Sequence, residues 1–355
     1  MNSVDSARID AYLRRLGAAR PVRPTAEALC ELHLRHLLAV PFENLSMHLG
    51  EEIVLEEDRL LDKVVGAGRG GFCYELNGAF AVLLSGLGFG VTPLAGRVYG
   101  EEGRLGIPYD HLALRVRTVD AGEWLADVGF GAHSHYPLAF AERGEQADPG
   151  GMFRITAAGP DAAGVSGAAG TADGGAGVSR DGTTGDPVPG ATTGDPHVLR
   201  DGASADPGVR YGTSADPGVR YGTSADPGVR DGTSADPGAW DGTTGDLDVL
   251  RDGRPEYRLE VRPRVLGDFT AGAWWHSTSP ASHFTQSLVC SRVTEDGGRV
   301  TLSGRKLTVT AGDGTREVRE LGRDEEVLGV YREQFGIALD RVPTVRNPLG
   351  EDRNG

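Results

Sequence analysis

The chain has 355 residues, of which 39% are hydrophobic and 25% are charged, so it is long enough for two domains and a buried core. Its formal net charge of −15 argues against binding to nucleic acid or to an anionic membrane surface. No apolar run is long enough to span a bilayer, and the first residues lack the pattern of a secretion signal. We therefore expect a cytoplasmic protein whose partners include neither nucleic acid nor a membrane.

The chain contains three cysteines, Cys30, Cys73 and Cys290. An odd and sparse set of cysteines indicates free thiols in a reducing compartment rather than a disulfide framework. No spacing of Cys and His resembles a zinc site, so we expect no metal cofactor.

Residues 1–86 show the apolar spacing of a small helical domain. Thr25 has a side chain suited to cap the second helix, which stops before Pro41. In chain order, the predicted helices cover residues 9–16, 25–37 and 58–65, and a fourth helix starts at Cys73.

Strand patterns follow in residues 87–157. A first strand is predicted at 91–99, and in 112–117 large apolar residues alternate with smaller or charged ones. A third strand, 123–128, follows the turn at 120–122. We predict an antiparallel sheet or barrel for this region.

The C-terminal part, residues 255–345, mixes strands and helices, so the predicted fold class is α+β. We assign it to the remainder of the barrel and to a C-terminal α/β unit, followed by a flexible tail at 346–355. Its predicted elements are a strand at 255–261, a helix at 269–275, strands at 287–293, 299–302 and 306–310, and a last helix at 325–335 that ends at Gly336.

Residues 158–254 are dominated by Gly, Ala, Asp, Thr and Ser. A ten-residue unit repeats there, as in 212–221, with degenerate copies on both sides. Each unit has too few apolar side chains to offset its ordering entropy or to build a stacked core. A single Asp per unit also makes a poor calcium site. We therefore interpret this segment as a long, disordered low-complexity insertion.

Cys73 follows the sequence Arg69-Gly70-Gly71-Phe72 and precedes an apolar helical pattern. Unpaired N–H groups and the positive end of the helix dipole collect at a helix start, and both favour a thiolate. Because the thiolate is the reactive form, this position predicts a nucleophile. The alternative is a buried and unreactive cysteine, so a base and an orienting group are needed to distinguish the two.

His111 opens a predicted strand, and Asp127 lies in the next one. Direct opposition of the two in a hairpin needs an apex at Val119, whereas the visible turn is centred near Ala121. We expect one bulge or a longer loop to correct this offset and bring the side chains together. The order Cys, His, Asp then predicts a nucleophile, its base and the group that orients the base.

Several segments resemble motifs of the arylamine N-acetyltransferase family. The most specific is the cysteine motif Arg69–Asn77, and the others are 41–45, 110–114, 125–131, 277–284 and 335–337. The resemblance covers about 5–157 and 255–340, and it implies a helical N-terminal domain, an antiparallel β-barrel and a C-terminal α/β lid. It also implies a ping-pong reaction in which acetyl-CoA acylates Cys73, CoA leaves, and an arylamine or hydrazine takes the acetyl group.

The same resemblance implies roles for single residues. The implied catalytic triad is Cys73, His111 and Asp127. An aromatic amine protonates weakly and stacks well, which suits a pocket lined by phenylalanines. The residues implied to surround the triad are an ion pair of Glu43 and Arg69, apolar walls formed by Phe42, Phe130 and Phe284, and a loop near the cofactor with Gly129 and Gly131.

Other functions remain open from the sequence. An amide synthase that closes a macrolactam on a polyketide chain resembles the same family and would differ mainly in pocket size. A transglutaminase-like cysteine hydrolase shares the Cys, His, Asp order, although the motif Arg69–Asn77 argues against it. A non-catalytic binding protein has only the repeat in its favour. Gly66–Gly71 also fits a dinucleotide-binding pattern, but a helix rather than a strand precedes it.

Overall fold

The computed structural model describes residues 6–100, 103–159 and 245–346. Most of the insertion that we predict to be disordered, and nearly all of the predicted flexible tail, lie outside these ranges. Within them, no helix has the length and apolar character needed to cross a membrane. The described residues confirm the predicted α+β fold class, with a helical part, a barrel and a C-terminal α/β part.

The N-terminal part consists of short helices around one long, buried helix. Its elements are α1 (Ser6–Leu16), α2 (Ala26–Ala39), the two-residue strand β1 (Phe42–Glu43), α3 (Leu45–Leu49), α4 (Glu57–Leu61) and α5 (Cys73–Gly86). Thr25 caps α2, and its side chain accepts a hydrogen bond from the N–H of Ala28. The predicted helix at 58–65 is α4 followed by a π-helical turn at Asp62–Gly66.

Helix α5 is the core of this part. Every residue from Cys73 to Leu84 is buried, as expected for a helix that is apolar on all sides. Its exposed last residue lies against α1, because a Cβ on Gly86 would lie 2.6 Å from Cδ1 of Ile9. The first residue of α5 is therefore held by a well-packed helix.

The second part is an eight-stranded antiparallel sheet that curls into a nearly closed barrel. Its strands are β2 (Gly90–Val98), β3 (His111–Arg117), β4 (Glu123–Ala126), β5 (Leu138–Ala139), β6 (Gln146–Asp148), β7 (Gly151–Ala157), β8 (Leu247–Arg251) and β9 (Arg254–Glu260). They are ordered β5-β4-β3-β2-β9-β8-β7-β6. Alternate side chains from these strands, including Leu94, Phe153 and Leu259, fill the barrel with one apolar cluster.

Strand β8 corrects the predicted end of the insertion. Residues 245–254 belong to the region that we predict to be disordered, yet Leu247–Arg251 pairs with both β7 and β9. Leu247 and Val249 are buried, and Asp248 between them faces Arg258 in an ion pair of 2.8 Å. This alternation of apolar and polar residues is only a few residues long, and the Gly- and Asp-rich composition around it conceals it.

The C-terminal part is a five-stranded antiparallel sheet with order β1-β10-β11-β12-β13. Its elements, with the helices that connect it to the barrel, are α6 (Thr270–Thr278), α7 (His283–Gln286), β10 (Cys290–Val293), β11 (Arg299–Ser303), β12 (Lys306–Thr310), β13 (Arg316–Glu320) and α8 (Asp324–Phe335). Helix α8 ends at Gly336, as predicted, in the left-handed conformation with φ +69°. The sequence does not predict strand β13, because all five of its residues are exposed and no alternation of apolar and polar side chains indicates it.

Strand β1 connects the helical part to this sheet. Phe42 pairs with Ser291 and Glu43 pairs with Cys290, so a segment between α2 and α3 forms the edge of the C-terminal sheet. Two residues are too few to show a strand pattern in the sequence. The pairing places Phe42 and Glu43 beside the turn that precedes α5, since the N–H of Glu43 also donates to the carbonyl of Gly71 at 2.8 Å.

The barrel assignment of β8 predicts the effect of a substitution in it. Val249→Ala removes buried methyl groups from the barrel interior, so we expect a loss of about 2 kcal/mol in the free energy of unfolding. The control Val318→Ala lies on the exposed strand β13 and is expected to cost less than about 0.5 kcal/mol. Urea denaturation measures both, and equal small losses would place residues 247–251 outside the folded core.

Candidate active site

Cys73 is the first residue of α5 and is 5% exposed. The turn before it requires glycine, because a Cβ on Gly70 would lie 1.9 Å from the carbonyl oxygen of Pro41. Glu75 closes the start of the helix, and its Oε2 accepts a hydrogen bond from the N–H of Phe72 at 3.3 Å. The N–H of Cys73 lies in the first helical turn, where backbone donors have no acceptor within the helix.

His111 and Asp127 meet across the β3–β4 hairpin, but diagonally. The hairpin pairs Leu114 with Ala126 without a bulge, and the same register sets Ala113 opposite Asp127. His111 therefore lies two residues further along the same face, within diagonal reach. Its Nε2 donates to Oδ2 of Asp127 at 2.7 Å. The prediction of a bulge or a longer loop is wrong. The side chains of His111 and Asp127 are long enough to meet although the two residues are not directly opposite each other.

The three groups alter each other's pKa. Burial lowers the pKa of His111, but the charge and hydrogen bond of Asp127 outweigh burial and raise this pKa to about 10. Burial raises the pKa of Asp127, and the charge of His111 reverses the effect, so that the pKa falls well below its usual range. Since Asp127 engages Nε2, Nδ1 of His111 is the ring nitrogen left for the Cys73 thiol.

The thiol itself does not have the lowered pKa that a helix start suggests. Burial raises the pKa of Cys73, and the hydrogen bond and charge of His111 offset only part of that rise. The sequence predicts the helix position correctly but not the degree of burial. A thiolate at Cys73 therefore depends on stabilisation by the charge of the His111 imidazolium.

Two residues that the sequence analysis did not single out hold Asp127 in place. Asn77 Nδ2 donates to Asp127 Oδ1 at 2.8 Å and to the carbonyl of Leu112 at 2.6 Å. His33 Nε2 accepts the backbone N–H of Asp127 at 3.2 Å. Asn77 had a signal, because it lies four residues after Cys73 on the same helix face. His33, a buried histidine in α2, had none.

The implied ion pair of Glu43 and Arg69 is present and belongs to a larger buried network. Arg69 Nη2 lies 3.0 Å from Glu43 Oε1, and its Nη1 lies 3.0 Å from Glu51. Lys63, from the π-helical turn, contacts Glu75 at 2.6 Å. Burial raises the pKa of Glu43, but the charges of Lys63 and Arg69 outweigh it and lower this pKa. The network lies behind the turn that carries Cys73.

The three implied wall residues lie at two places. Phe42 and Phe284 face each other with ring centroids 6.1 Å apart, and Phe284 also packs against Phe72 at 5.6 Å. Phe130 packs edge-on against the ring of His111 at 5.1 Å. All three walls are half-buried. They therefore present partly exposed aromatic surface next to Phe72, which precedes Cys73, and next to His111.

The two loop glycines have different structural reasons. A Cβ on Gly129 would lie 2.8 Å from the Cα of Cys73 and 2.7 Å from Asn77 Nδ2, so the loop packs directly on the start of α5. Gly131 has φ +89°, a left-handed conformation that favours glycine, and its Cβ position is open. Gly131 also lines a narrow cleft together with Phe42, Val128, Ser291, Arg292 and Arg299.

All three cysteines are free thiols. Burial raises the pKa of Cys30 to about 11 and that of Cys290 well above its ordinary value. Among the three cysteines, Cys73 is the one whose pKa a neighbouring histidine, His111, acts to lower. The described ranges contain no group of three or more His, Cys, Asp or Glu side chains placed to hold a metal ion.

Comparison with known proteins identifies the chain. Residues 25–344 match the profile of a family described as N-acetyltransferase, so the chain is an acetyltransferase by class. Human arylamine N-acetyltransferase 1 is 33% identical over 343 residues, which cover 94% of this chain and 95% of the human protein. The chain belongs to the arylamine N-acetyltransferase family, which confirms the resemblance of its motifs.

Two bacterial relatives add detail. The Salmonella typhimurium arylamine N-acetyltransferase / N-hydroxyarylamine O-acetyltransferase is 42% identical over 148 residues, 41% of this chain and 52% of that protein. A solved structure of arylamine N-acetyltransferase from that organism superposes with a TM-score of 0.65 at 25% identity, covering 97% of this chain and 96% of the other. Proansamycin X synthase of Amycolatopsis mediterranei is 31% identical over 150 residues, 41% of this chain and 57% of that enzyme.

The His111–Asp127 contact predicts a pH-dependent contribution to stability. Because the pKa of His111 is raised, its contribution is complete below the ordinary value of about 6.5 and declines as pH rises towards 10. Because the pKa of Asp127 is lowered, its contribution is present above about pH 4 and lost in acid. Asp127→Asn removes both of these contributions to stability. The difference in unfolding free energy between wild type and variant should therefore be largest near pH 5, where both contributions are present.

Urea denaturation at pH 5, 7 and 10 measures this gap, which we expect to narrow steadily as pH rises. Asp58→Asn is the matched control, because the side chain of Asp58 is 79% exposed. The control should show a small gap at every pH. A gap for Asp127→Asn that stays constant from pH 5 to 10 would contradict the raised pKa of His111.

Proposed function

We propose that this acetyltransferase moves an acetyl group from acetyl-CoA to the amine of an arylamine or hydrazine through an acetyl-Cys73 intermediate. The observation that carries the proposal is the buried group of Cys73, His111 and Asp127, in which His111 hydrogen-bonds Asp127 at 2.7 Å and acts to lower the pKa of the Cys73 thiol against the effect of burial. A thiol, an imidazole and a carboxylate in this order form the arrangement used for nucleophilic acyl transfer. We propose these three residues as the catalytic triad.

The first half-reaction acylates the enzyme. Cys73 attacks the thioester carbonyl of acetyl-CoA as a thiolate paired with the imidazolium of His111, whose basicity Asp127 raises. The backbone N–H of Cys73, at the start of α5, is placed to donate to the oxyanion. Collapse of the tetrahedral species breaks the bond to the CoA sulfur, which takes the proton from His111 and leaves as a thiol.

The second half-reaction transfers the acetyl group. A neutral amine attacks the carbonyl of acetyl-Cys73, His111 accepts the amine proton, and the Cys73 thiolate leaves and pairs again with the imidazolium of His111. Phe42, Phe130 and Phe284 are proposed as apolar walls, since partly exposed aromatic rings bind an aromatic amine by stacking. Because aromatic amines are weak bases, they enter such a site without the cost of desolvating a charge.

The loop after β4 is proposed to adjoin the acyl donor. Gly129 packs against Cys73 without a side chain, and Gly131 lines the cleft beside Phe42 and Val128. We also propose a cytoplasmic location, because the three cysteines are free thiols.

A second candidate is an amide synthase that closes a macrolactam on a polyketide chain with the same triad. The 31% identity to proansamycin X synthase favours it. The two functions differ in the acyl group that the pocket admits, since a macrolactam precursor needs far more room than an acetyl group. The human and Salmonella relatives, both named arylamine N-acetyltransferases, favour acetyl transfer.

Mass spectrometry after incubation with acetyl-CoA alone tests the covalent intermediate. Wild type should gain one acetyl group on Cys73, because the first half-reaction needs no amine. Cys290→Ser, a second buried cysteine, is the matched control and should gain the same adduct, whereas Cys73→Ser should gain none. Absence of the adduct in wild type, or its presence in Cys73→Ser, would refute the scheme.

A CoA-release assay with a panel of arylamines and hydrazines tests the acceptor class. We expect turnover that depends on the amine, with little release of CoA in its absence beyond one equivalent per enzyme. Continuous release without amine would indicate a hydrolase. A strong preference for a long acyl thioester over acetyl-CoA would support the amide synthase instead.

A further inference from the structure

A second chain of Ser, His and Asp lies beside the site. His276 in α6 donates from Nε2 to Oδ1 of Asp110 at 2.9 Å, and its Nδ1 lies 3.3 Å from Oγ of Ser282. His276 and Ser282 are almost fully buried, and the side chain of Asp110 is 11% exposed. Asp110 directly precedes His111. The reaction proposed above does not use any of these three groups.

This group of Ser282, His276 and Asp110 is not a second nucleophilic centre. Ser282 is 1% exposed and is the N-cap of α7, and its Oγ already accepts the N–H of Phe284 at 3.3 Å. Oδ2 of Asp110 is also engaged, because it accepts the N–H of Val98 at 3.1 Å. With Nε2 donating to Asp110, Nδ1 of His276 accepts the hydroxyl proton of Ser282. The polar atoms of the three side chains are thus engaged with one another or with the backbone N–H groups of Val98 and Phe284.

At its Asp110 end, this group of three side chains adjoins a strained turn. Tyr109 has φ +58°, which is unusual for a residue with a side chain and persists only where the surroundings enforce it. The hydroxyl of Tyr74 donates to the carbonyls of Tyr109 and Asp110 at 2.6 and 3.1 Å. A Cβ on Gly272 of α6 would lie 2.7 Å from the carbonyl of Tyr109. The backbone that leads into His111 is therefore fixed from several sides.

At its Ser282 end, the same group contacts the proposed aromatic wall Phe284. The rings of His276 and Phe284 have centroids 5.2 Å apart, and Ser282 caps the short helix that carries Phe284. Phe284 in turn packs on Phe72, the residue before Cys73. One imidazole thus joins the residue next to His111 to the helix that carries the proposed acceptor wall.

We propose that His276 is a positioning residue that sets the base His111 through Asp110 and the acceptor wall Phe284 through Ser282. This inference deepens the proposed function and rests on it for the role of Phe284. The two contacts can be tested separately, because Nε2 of His276 contacts Asp110 and Nδ1 contacts Ser282. Neither end touches the substrate, so His276 acts only through the residues that it holds.

Two polar substitutions divide the contacts of His276. The amide nitrogen of Gln reaches about as far as imidazole Nε2, and that of Asn about as far as Nδ1. His276→Gln therefore retains the contact with Asp110, and His276→Asn retains a polar group near Ser282 only. His276→Phe keeps the ring volume and loses both contacts. His36→Phe, the same change at a buried histidine of α2, is the matched control for the cost of burial.

The first readout is the pH profile of Cys73 alkylation by iodoacetamide, which needs no substrate. His276→Asn and His276→Phe should slow alkylation at pH 7 about tenfold and shift its midpoint upwards, since a displaced His111 imidazolium stabilises the Cys73 thiolate less. His276→Gln should stay near wild type. The second readout is steady-state kinetics, where His276→Gln should raise the KM for the arylamine with little change in the alkylation profile.

The outcomes separate this inference from the proposed function. Absence of acetyl transfer in wild type would contradict the proposed function, while the alkylation profiles would still test the link from His276 to His111. If His276→Asn and His276→Gln give the same profile, or if both only lower thermal stability as His36→Phe does, His276 is structural and the inference is wrong. Should His276→Phe fail to fold, the Asn and Gln pair decides the question alone.

Discussion

The hydrogen bond between His111 Nε2 and Asp127 Oδ2 is the contact on which the site depends. A buried carboxylate is costly unless its charge is compensated and its oxygens are hydrogen-bonded. Asp127 meets both conditions, because His111 holds one oxygen and Asn77 and the N–H of Gly129 hold the other. Asn77 belongs to the helix that starts with Cys73, so the same contacts that satisfy Asp127 tie the start of this helix to the hairpin that carries His111.

All three parts of the fold contribute residues at or near this contact. Cys73 comes from the helical part, His111 and Asp127 come from one barrel hairpin, and Phe284 comes from the segment that leads into the C-terminal sheet. The buried ion pair of Glu43 and Arg69 and the pairing of β1 with β10 fix the first part against the third. In the proposed mechanism, stability and chemistry are therefore supported by the same residues, and we expect a substitution in the polar network to affect both.

The sequence predicts the parts of this protein that have a strong local signal. The cysteine motif, the helix cap at Thr25 and the long apolar helices follow from spacing and from side-chain chemistry. Strand β8 has too short an alternation, and the exposed strand β13 has none. The diagonal reach from His111 to Asp127 depends on side-chain length rather than register. The raised pKa of Cys73 follows from burial, which no single segment of sequence reveals.

The most direct test of the account is a single turnover of isolated acetyl-enzyme. The protein is incubated with acetyl-CoA, freed of CoA by rapid gel filtration, and mixed with an arylamine, and the fate of the acetyl group is measured by mass spectrometry. The account predicts one equivalent of N-acetylarylamine and recovery of the free Cys73 thiol. Release of the acetyl group as acetate, or its retention on the protein in the presence of amine, would contradict it.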